Sequence, residues 1–169
     1  EPNHVLYLAV DFTEATVDPK LNYTFRTLGL YFTRYLAVRI ATDMMAKFGA
    51  KTVVIVNADT EQGKAGEWEF TLADQTAGLQ VVGTVRYPMG TVDYGPIATK
   101  IMSFHPDYVD FAMSAGDAIS LLISALKDAG FKGPIFPGGA FSPTILDNAV
   151  KKVGKEYLEG WEANCFDPM

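Results

Sequence analysis

The chain has a single cysteine, Cys165, so no internal disulfide can brace it. Its two histidines, His4 and His105, stand far apart in sequence, and with one cysteine they form no metal-ligand cluster. No apolar run approaches the roughly 18 residues that a membrane span requires, and no secretory leader is present. Because the chain opens on Glu1 rather than Met, it reads as processed or excised, and the missing leader carries no information about where it acts. Positive charge is scarce: 14 Lys and Arg face 20 Asp and Glu, and a net charge of -6 gives a nucleic-acid role no support. There is no G-x-x-x-x-G-K-[ST], no G-x-G-x-x-G after a strand and no G-x-S-x-G, which removes the usual phosphate loop, dinucleotide fingerprint and nucleophile elbow. Internal repeats and low-complexity segments are also absent.

What is there is an ordinary globular composition, 49% hydrophobic and 20% charged over 169 residues, enough for one domain with a real core. Its organising stretch runs from Thr52 through Val53, Val54, Ile55 and Val56 to Asn57, and ends in a polar loop closed by Gly63. A continuous β-branched run reads as a strand buried on both faces. The polar turn and helical pattern that follow make it the first half of a βαβ unit.

In chain order, 5–10 reads as a short strand, 11–22 as a loop and 23–27 as another short extended piece. Tyr31, Tyr35, Val38, Thr42 and Met45 share one helical face, with Leu36 and Ile40 beside it, and Gly49 ends that helix. After strand 52–56, a helix over 64–77 turns Ala65, Trp68 and Leu72 inward and stops at Gly78. A strand follows over 79–87, then a loop over 88–91. Asp93 is the N-cap of a helix reaching Phe104, with Pro96 tolerated in its first turn. A third strand covers 108–113. Ile119, Leu122, Ile123 and Leu126 form the stripe of the next helix, closed by Gly130. A short strand at 134–136, a helix over 142–150 with Pro143 at its start, and a last strand over 161–166 complete the pattern. Strand and helix alternate, which predicts an α/β fold: a three-layer αβα sandwich around a central parallel sheet, doubly wound in the Rossmann or flavodoxin manner.

Three loops then emerge on one edge of the sheet: 57–63, 114–117 and 138–141. Ligands of open α/β sheets sit at such strand ends. Glycine and asparagine also simply make turns, so no single loop decides the matter. Ser114 lies in Met-Ser-Ala with neither histidine placed to activate it; His105 falls on the opposite edge as a solvent-facing connector. The third strand ends in Ala112-Met113-Ser114 rather than in an aspartate, which counts against a phosphoryl-transfer receiver. Asp11, Glu14 and Asp18 read as a solvated loop. The residues imply neither metal nor cofactor.

Several segments resemble one family in order and spacing. Ala15-Thr16-Val17-Asp18-Pro19 followed by Tyr23-Thr24-Phe25-Arg26-Thr27 resembles the crossover into the second lobe of type I periplasmic binding proteins, with the branched-chain amino-acid-binding group nearest. Lys51 to Val56 resembles the first strand of that lobe. Gln62-Gly63 falls where many members carry an aromatic residue and glycine. Asp93-Tyr94, His105-Pro106-Asp107-Tyr108-Val109 and Ala129-Gly130-Phe131-Lys132-Gly133 match recurring patterns, and Tyr157-Leu158-Glu159-Gly160-Trp161 resembles the strand leading back to the first lobe. The resemblance divides the chain into a crossover from an absent first lobe (1–28), the second ligand-binding lobe (29–164) and the start of a return crossover (165–169).

The resemblance implies a noncatalytic role. The protein would bind a small organic solute, such as an amino acid or carboxylate, in an interlobe cleft and present it to the membrane permease of an ABC transporter, in the periplasm or outside the cell. Carried over by position, the contacts of this lobe would come from Gln62, Ala115, Gly116, Gly139, Ala140 and Phe141, with Tyr31 near the hinge. Gln62 in place of an aromatic residue, and the lack of an acid around Gly139, weigh against an aliphatic amino-acid ligand. An isolated lobe should bind poorly, with half the cleft missing, and its exposed cleft face would favour self-association. The alternatives are a ligand-sensing domain of a receptor or regulator and, from another class, a small α/β enzyme, for which the strand-end edge offers no reactive constellation.

Overall fold

The computed structural model describes residues 5–9, 19–26, 30–112, 114, 116–138 and 142–161. A short parallel ribbon pairs β1 (Tyr7–Ala9) with β2 (Thr24–Arg26). The main body follows as α1 (Leu30–Phe48), β3 (Thr52–Ala58), α2 (Glu61–Ala77), β4 (Gln80–Tyr87), α3 (Gly95–Met102), β5 (Tyr108–Asp110), α4 (Asp117–Asp128), β6 (Ile135–Phe136), α5 (Pro143–Val153) and the short α6 (Lys155–Leu158).

The four body strands are parallel in the order β4-β3-β5-β6. The chain runs outward from β3 to β4, then crosses back over β3 to β5, so the order reverses at the centre of the sheet. This is the three-layer α/β fold expected from the alternation. β3 is its spine because both its faces are buried. Val53 and Ile55 pack with Ile40, Ala41 and Met44 of α1 and Phe70 and Ala73 of α2. Val54 and Val56 pack with α3 and α4, against Ala98, Ile101, Ile119 and Leu122. With every alternate side chain meeting a different layer, no position in the run tolerates polarity until Asn57.

The lower edge of the sheet is tied by Asp107. Its Oδ2 accepts from the Lys51 and Thr52 amides at 2.9 and 3.0 Å and from Thr52 Oγ1 at 3.0 Å, while its own amide donates to Thr52 Oγ1 at 2.9 Å. These donors favour the ionised form and hold the Asp107 carboxyl below the usual carboxylate range, led by the Lys51 amide. The His105-Pro106-Asp107 connector is therefore a clamp between β3 and β5, and His105 is exposed on the edge away from the strand ends, as expected.

Five expectations need correction. Trp68 is not inward: it is 58% exposed, and the buried face of α2 runs through Gly66, Glu69, Phe70, Ala73 and Asp74. Tyr35 and Thr42 also point outward on α1, whose buried stripe is Ala37, Ile40, Ala41 and Met44. The α3 cap is Tyr94 rather than Asp93, although Asp93 Oδ1 accepts from the Gly95 amide at 2.9 Å and satisfies a first-turn donor from one residue further out. Tyr157 and Leu158 belong to α6 and Trp161 to no strand, because the Tyr157 phenol is turned in to donate to the Phe131 carbonyl at 2.8 Å. The rest of the anticipated last strand, 162–166, lies outside the described residues. The third strand is also shorter than expected, ending at Asp110, beyond which Ala112 turns to a φ of 24°.

Candidate ligand-binding cleft

The geometry of the strand-end edge starts with Gly63. A Cβ at this position would overlap the carbonyl of Ala58, the last residue of β3. Only glycine lets the first turn of α2 press so closely on the strand end. Thr60 fixes the same turn as N-cap, its Oγ1 accepting from the Gly63 amide at 2.9 Å. Gln62 is thereby placed on the exposed lip of the turn.

Across from it, β4 ends in Tyr87 and β5 leads to Ser114 and Gly116. Ser114 is buried and donates to the Val56 carbonyl at 3.2 Å, and the Tyr87 phenol is hydrogen-bonded to Ser114. Ser114 is thus a peg joining β3, β4 and the loop after β5, which agrees with the absence of a nucleophile motif. Tyr94 meets Tyr87 edge to face, with centroids 5.5 Å apart and planes at 71°. Burial pushes both phenols up, so they stay protonated donors through the neutral range. Gly116 has φ 64° and ψ -148°, a region open essentially to glycine, and it begins α4 without a side-chain cap bond.

Together these turns enclose a cleft of about 430 Å3. Ala58, Thr60 and Gln62 line it from the β3 end, and Tyr87, Met89, Gly90, Thr91 and Tyr94 from the β4 end. Gly116, Ala118 and Leu121 close it from α4. The volume suits a small organic molecule. No charged side chain is among these lining residues; recognition on this wall falls to phenols, hydroxyls, an amide and backbone groups.

The structure therefore brings Gln62 and Gly116 together. Ala115, Gly139, Ala140 and Phe141 lie outside the described residues. Tyr31 falls in the first turn of α1, and its side chain lies outside what is described. Asn57, the start of the first candidate loop, is instead buried within β3 and belongs by strand alternation to the α1–α2 layer, away from the cleft. The largest omission of the sequence reading is the β4–α3 loop: Tyr87, Met89, Thr91 and Tyr94 supply a third of the lining or more. The rule that singled out the other loops covers this one too, since it also follows a parallel strand on the same edge.

A second buried group was also missed. Asp110, on β5, and Asp74, on α2, are both buried in the α1–α2 layer. Asp110 Oδ1 accepts from the Ala112 amide at 2.6 Å. Neither oxygen of Asp74 has a hydrogen-bond partner among the described residues. Burial, then repulsion from Asp110, raises Asp74 well above the carboxylate range, and burial raises Asp110 to about 7.

The fold is thus a parallel three-layer α/β domain whose strand-end loops surround a tyrosine-lined cleft. The sequence model of the periplasmic binding protein family matches residues 1–162, and the chain belongs to that family, in its type I form. This is a family of solute-binding proteins, not of enzymes. Among solved structures, the chain is similar to the solute-binding protein of an ABC transporter from Rhodopseudomonas palustris HaA2 in complex with p-hydroxybenzoic acid. The identity is 22% and the TM-score 0.68, over 92% of this chain and 41% of that one. A second R. palustris ABC-transporter solute-binding protein, in complex with 4-hydroxybenzoate, shows 23% identity and a TM-score of 0.66 over 92% and 41% of the two chains. An extracellular ligand-binding receptor from the same species matches at 22% and 0.61, over 75% and 34%. The chain thus spans between a third and about two fifths of the length of these structures. A sequence comparison with curated proteins gives no match. Among the described residues, no helix is long and apolar enough to cross a membrane, and no group of three His, Cys, Asp or Glu could hold a metal ion.

Proposed function

We propose that this chain, over residues 29–164, is the second lobe of a solute-binding protein that captures a small organic solute in an interlobe cleft. The protein would deliver the solute to the permease of an ABC transporter, in the periplasm or outside the cell. The observation that carries the reading is the convergence of the loops after β3, β4 and β5 on one neutral cleft of about 430 Å3. A wall of two tyrosines, two threonines and a glutamine offers ring edges and hydrogen-bonding groups suited to an aromatic ring bearing hydroxyl or carboxyl groups. Two structures of the same fold hold 4-hydroxybenzoate, so single-ring aromatic acids head the candidates and aliphatic amino acids follow.

A thermal-shift panel tests this. Benzoate, 4-hydroxybenzoate, leucine and succinate are each added to the chain at millimolar concentration, since half a cleft binds weakly. A ligand that binds only the folded state raises the melting temperature in proportion to RT ln(1 + [L]/Kd). The aromatic acids are expected to raise it, and Gln62→Ala to reduce the rise without changing the unliganded value. A rise with leucine alone, or none with any member, contradicts the reading.

A further inference from the structure

We infer that Tyr94, together with Leu121, sets the length of ligand that the cleft accepts by closing it off from a second compartment between α3 and α4. The inference rests on the cleft reading above and adds its depth. A separate cavity of about 400 Å3 lies along α4 beyond the cleft. Tyr94 and Leu121 line both spaces, and among the described residues they alone do. Ala118 faces the cleft, Leu121 the boundary, and Ala125 and Asp128 the second cavity. Spacings of three, four and three residues put these four on one stripe of α4, roughly 15 Å long at about 1.5 Å per residue. The two cavities are therefore successive stretches of one groove, interrupted where Tyr94 crosses it.

Tyr94 is well suited to be a fixed stop. It is 6% exposed, its ring is braced edge to face on Tyr87, and Tyr87 is itself pinned to Ser114. Its backbone caps α3, so the ring's origin cannot drift without disturbing that helix. With the stop in place, the cleft holds one ring; without it, the cleft runs on into the open groove of about 400 Å3 beyond. The two compartments also differ in chemistry. Among the described residues the cleft lining is uncharged, whereas Asp93 and Asp128 line the outer space. A ligand extended past Tyr94 would therefore need a neutral or cationic tail, and an anionic one would be repelled.

The test uses phenol and 4-butoxyphenol as probes of the full chain, with amide chemical shifts as the readout. In the wild type, phenol is expected to move cleft amides, Gln62 and Gly116 among them, and to leave Ser124 and Ala125 unmoved, and 4-butoxyphenol to bind no better than phenol. In Leu121→Ala and Tyr94→Ala, 4-butoxyphenol should gain about tenfold relative to phenol and should also move Ser124 and Ala125, because its tail then buries against apolar surface. Leu121 is only partly buried, so its truncation keeps the test available if Tyr94→Ala fails to fold. Equal affinity changes for both probes with Ser124 and Ala125 unmoved would overturn the stop. So would movement of Ser124 and Ala125 by phenol in the wild type. If phenol leaves Gln62 and Gly116 unmoved in the wild type, the cleft reading fails; the stop is then judged on whether 4-butoxyphenol reaches Ser124 and Ala125 only in the variants.

Discussion

Asp74 and Asp110 are the residues whose chemistry departs most from what their sequence neighbours suggest. Two carboxyls buried in one layer cannot both ionise cheaply, and the oxygens of Asp74 lack partners to offset the cost. The sign of the pH dependence follows. Unfolded, each titrates near 3.8; folded, Asp110 titrates at about 7 and Asp74 well above its usual range. Between those values the native state holds protons that the unfolded chain has lost, so the stability linked to this pair is complete below about pH 4 and is lost as pH rises toward 7. Asp74→Asn keeps the shape and removes the charge. It is expected to be more stable than the wild type by about 1–3 kcal/mol at pH 8, with the difference shrinking toward pH 4 in denaturant melts. Equal stability at both pH values would show that the pair is solvated.

At the scale of elements, the strand–turn–helix from β3 into α2 decides where the cleft can form. Gly63→Ala would drive a Cβ into the Ala58 carbonyl, which is backbone and cannot step aside. The expected cost is about 1–3 kcal/mol, as for overpacking elsewhere, with ligand affinity falling as the α2 turn lifts away. A variant that melts and binds like the wild type would mean the turn is looser than its geometry. The same elements show what was legible in the sequence. β3 was readable because both its faces are apolar, so burial leaves an unbroken run. The ends of α1 and α2 were readable because Gly49 and Gly78 adopt positive φ there. The inward face of α2 was not readable, because the helix buries Glu69, Asp74 and two glycines while exposing Trp68, and a search for an apolar stripe follows the tryptophan. The 157–161 segment misled for a related reason: its aromatics pack on α4 and on each other, Tyr157 and Trp161 at 5.1 Å edge to face, rather than alternating along a strand.

Across the whole molecule, the reversal of strand order at β3 brings the loops after β3, β4 and β5 to one place, and the cleft follows from that topology. Gln62 and Gly116 were foreseeable because each follows a parallel strand. Tyr87 and Tyr94 were hidden because aromatic residues at strand and helix ends read as core, and they are core as well: each belongs to the cluster between the sheet and the α3–α4 layer. One face of each ring stabilises the fold while the pair forms the floor of the site. The outer compartment between α3 and α4 has no sequence signature, since it depends on where Tyr94 stops the groove.

The central claim is that the strand-end cleft is the ligand-binding wall of this lobe. The most direct measurement is amide chemical-shift mapping of the 169-residue chain titrated with 4-hydroxybenzoate. The account predicts saturable shifts clustered at Thr60, Gln62, Thr91, Tyr94 and Gly116, with His105 on the opposite sheet edge and the exposed Tyr35 unmoved. Shifts gathered around His105, Tyr35 or the β1–β2 ribbon, with the strand-end residues silent, would contradict it.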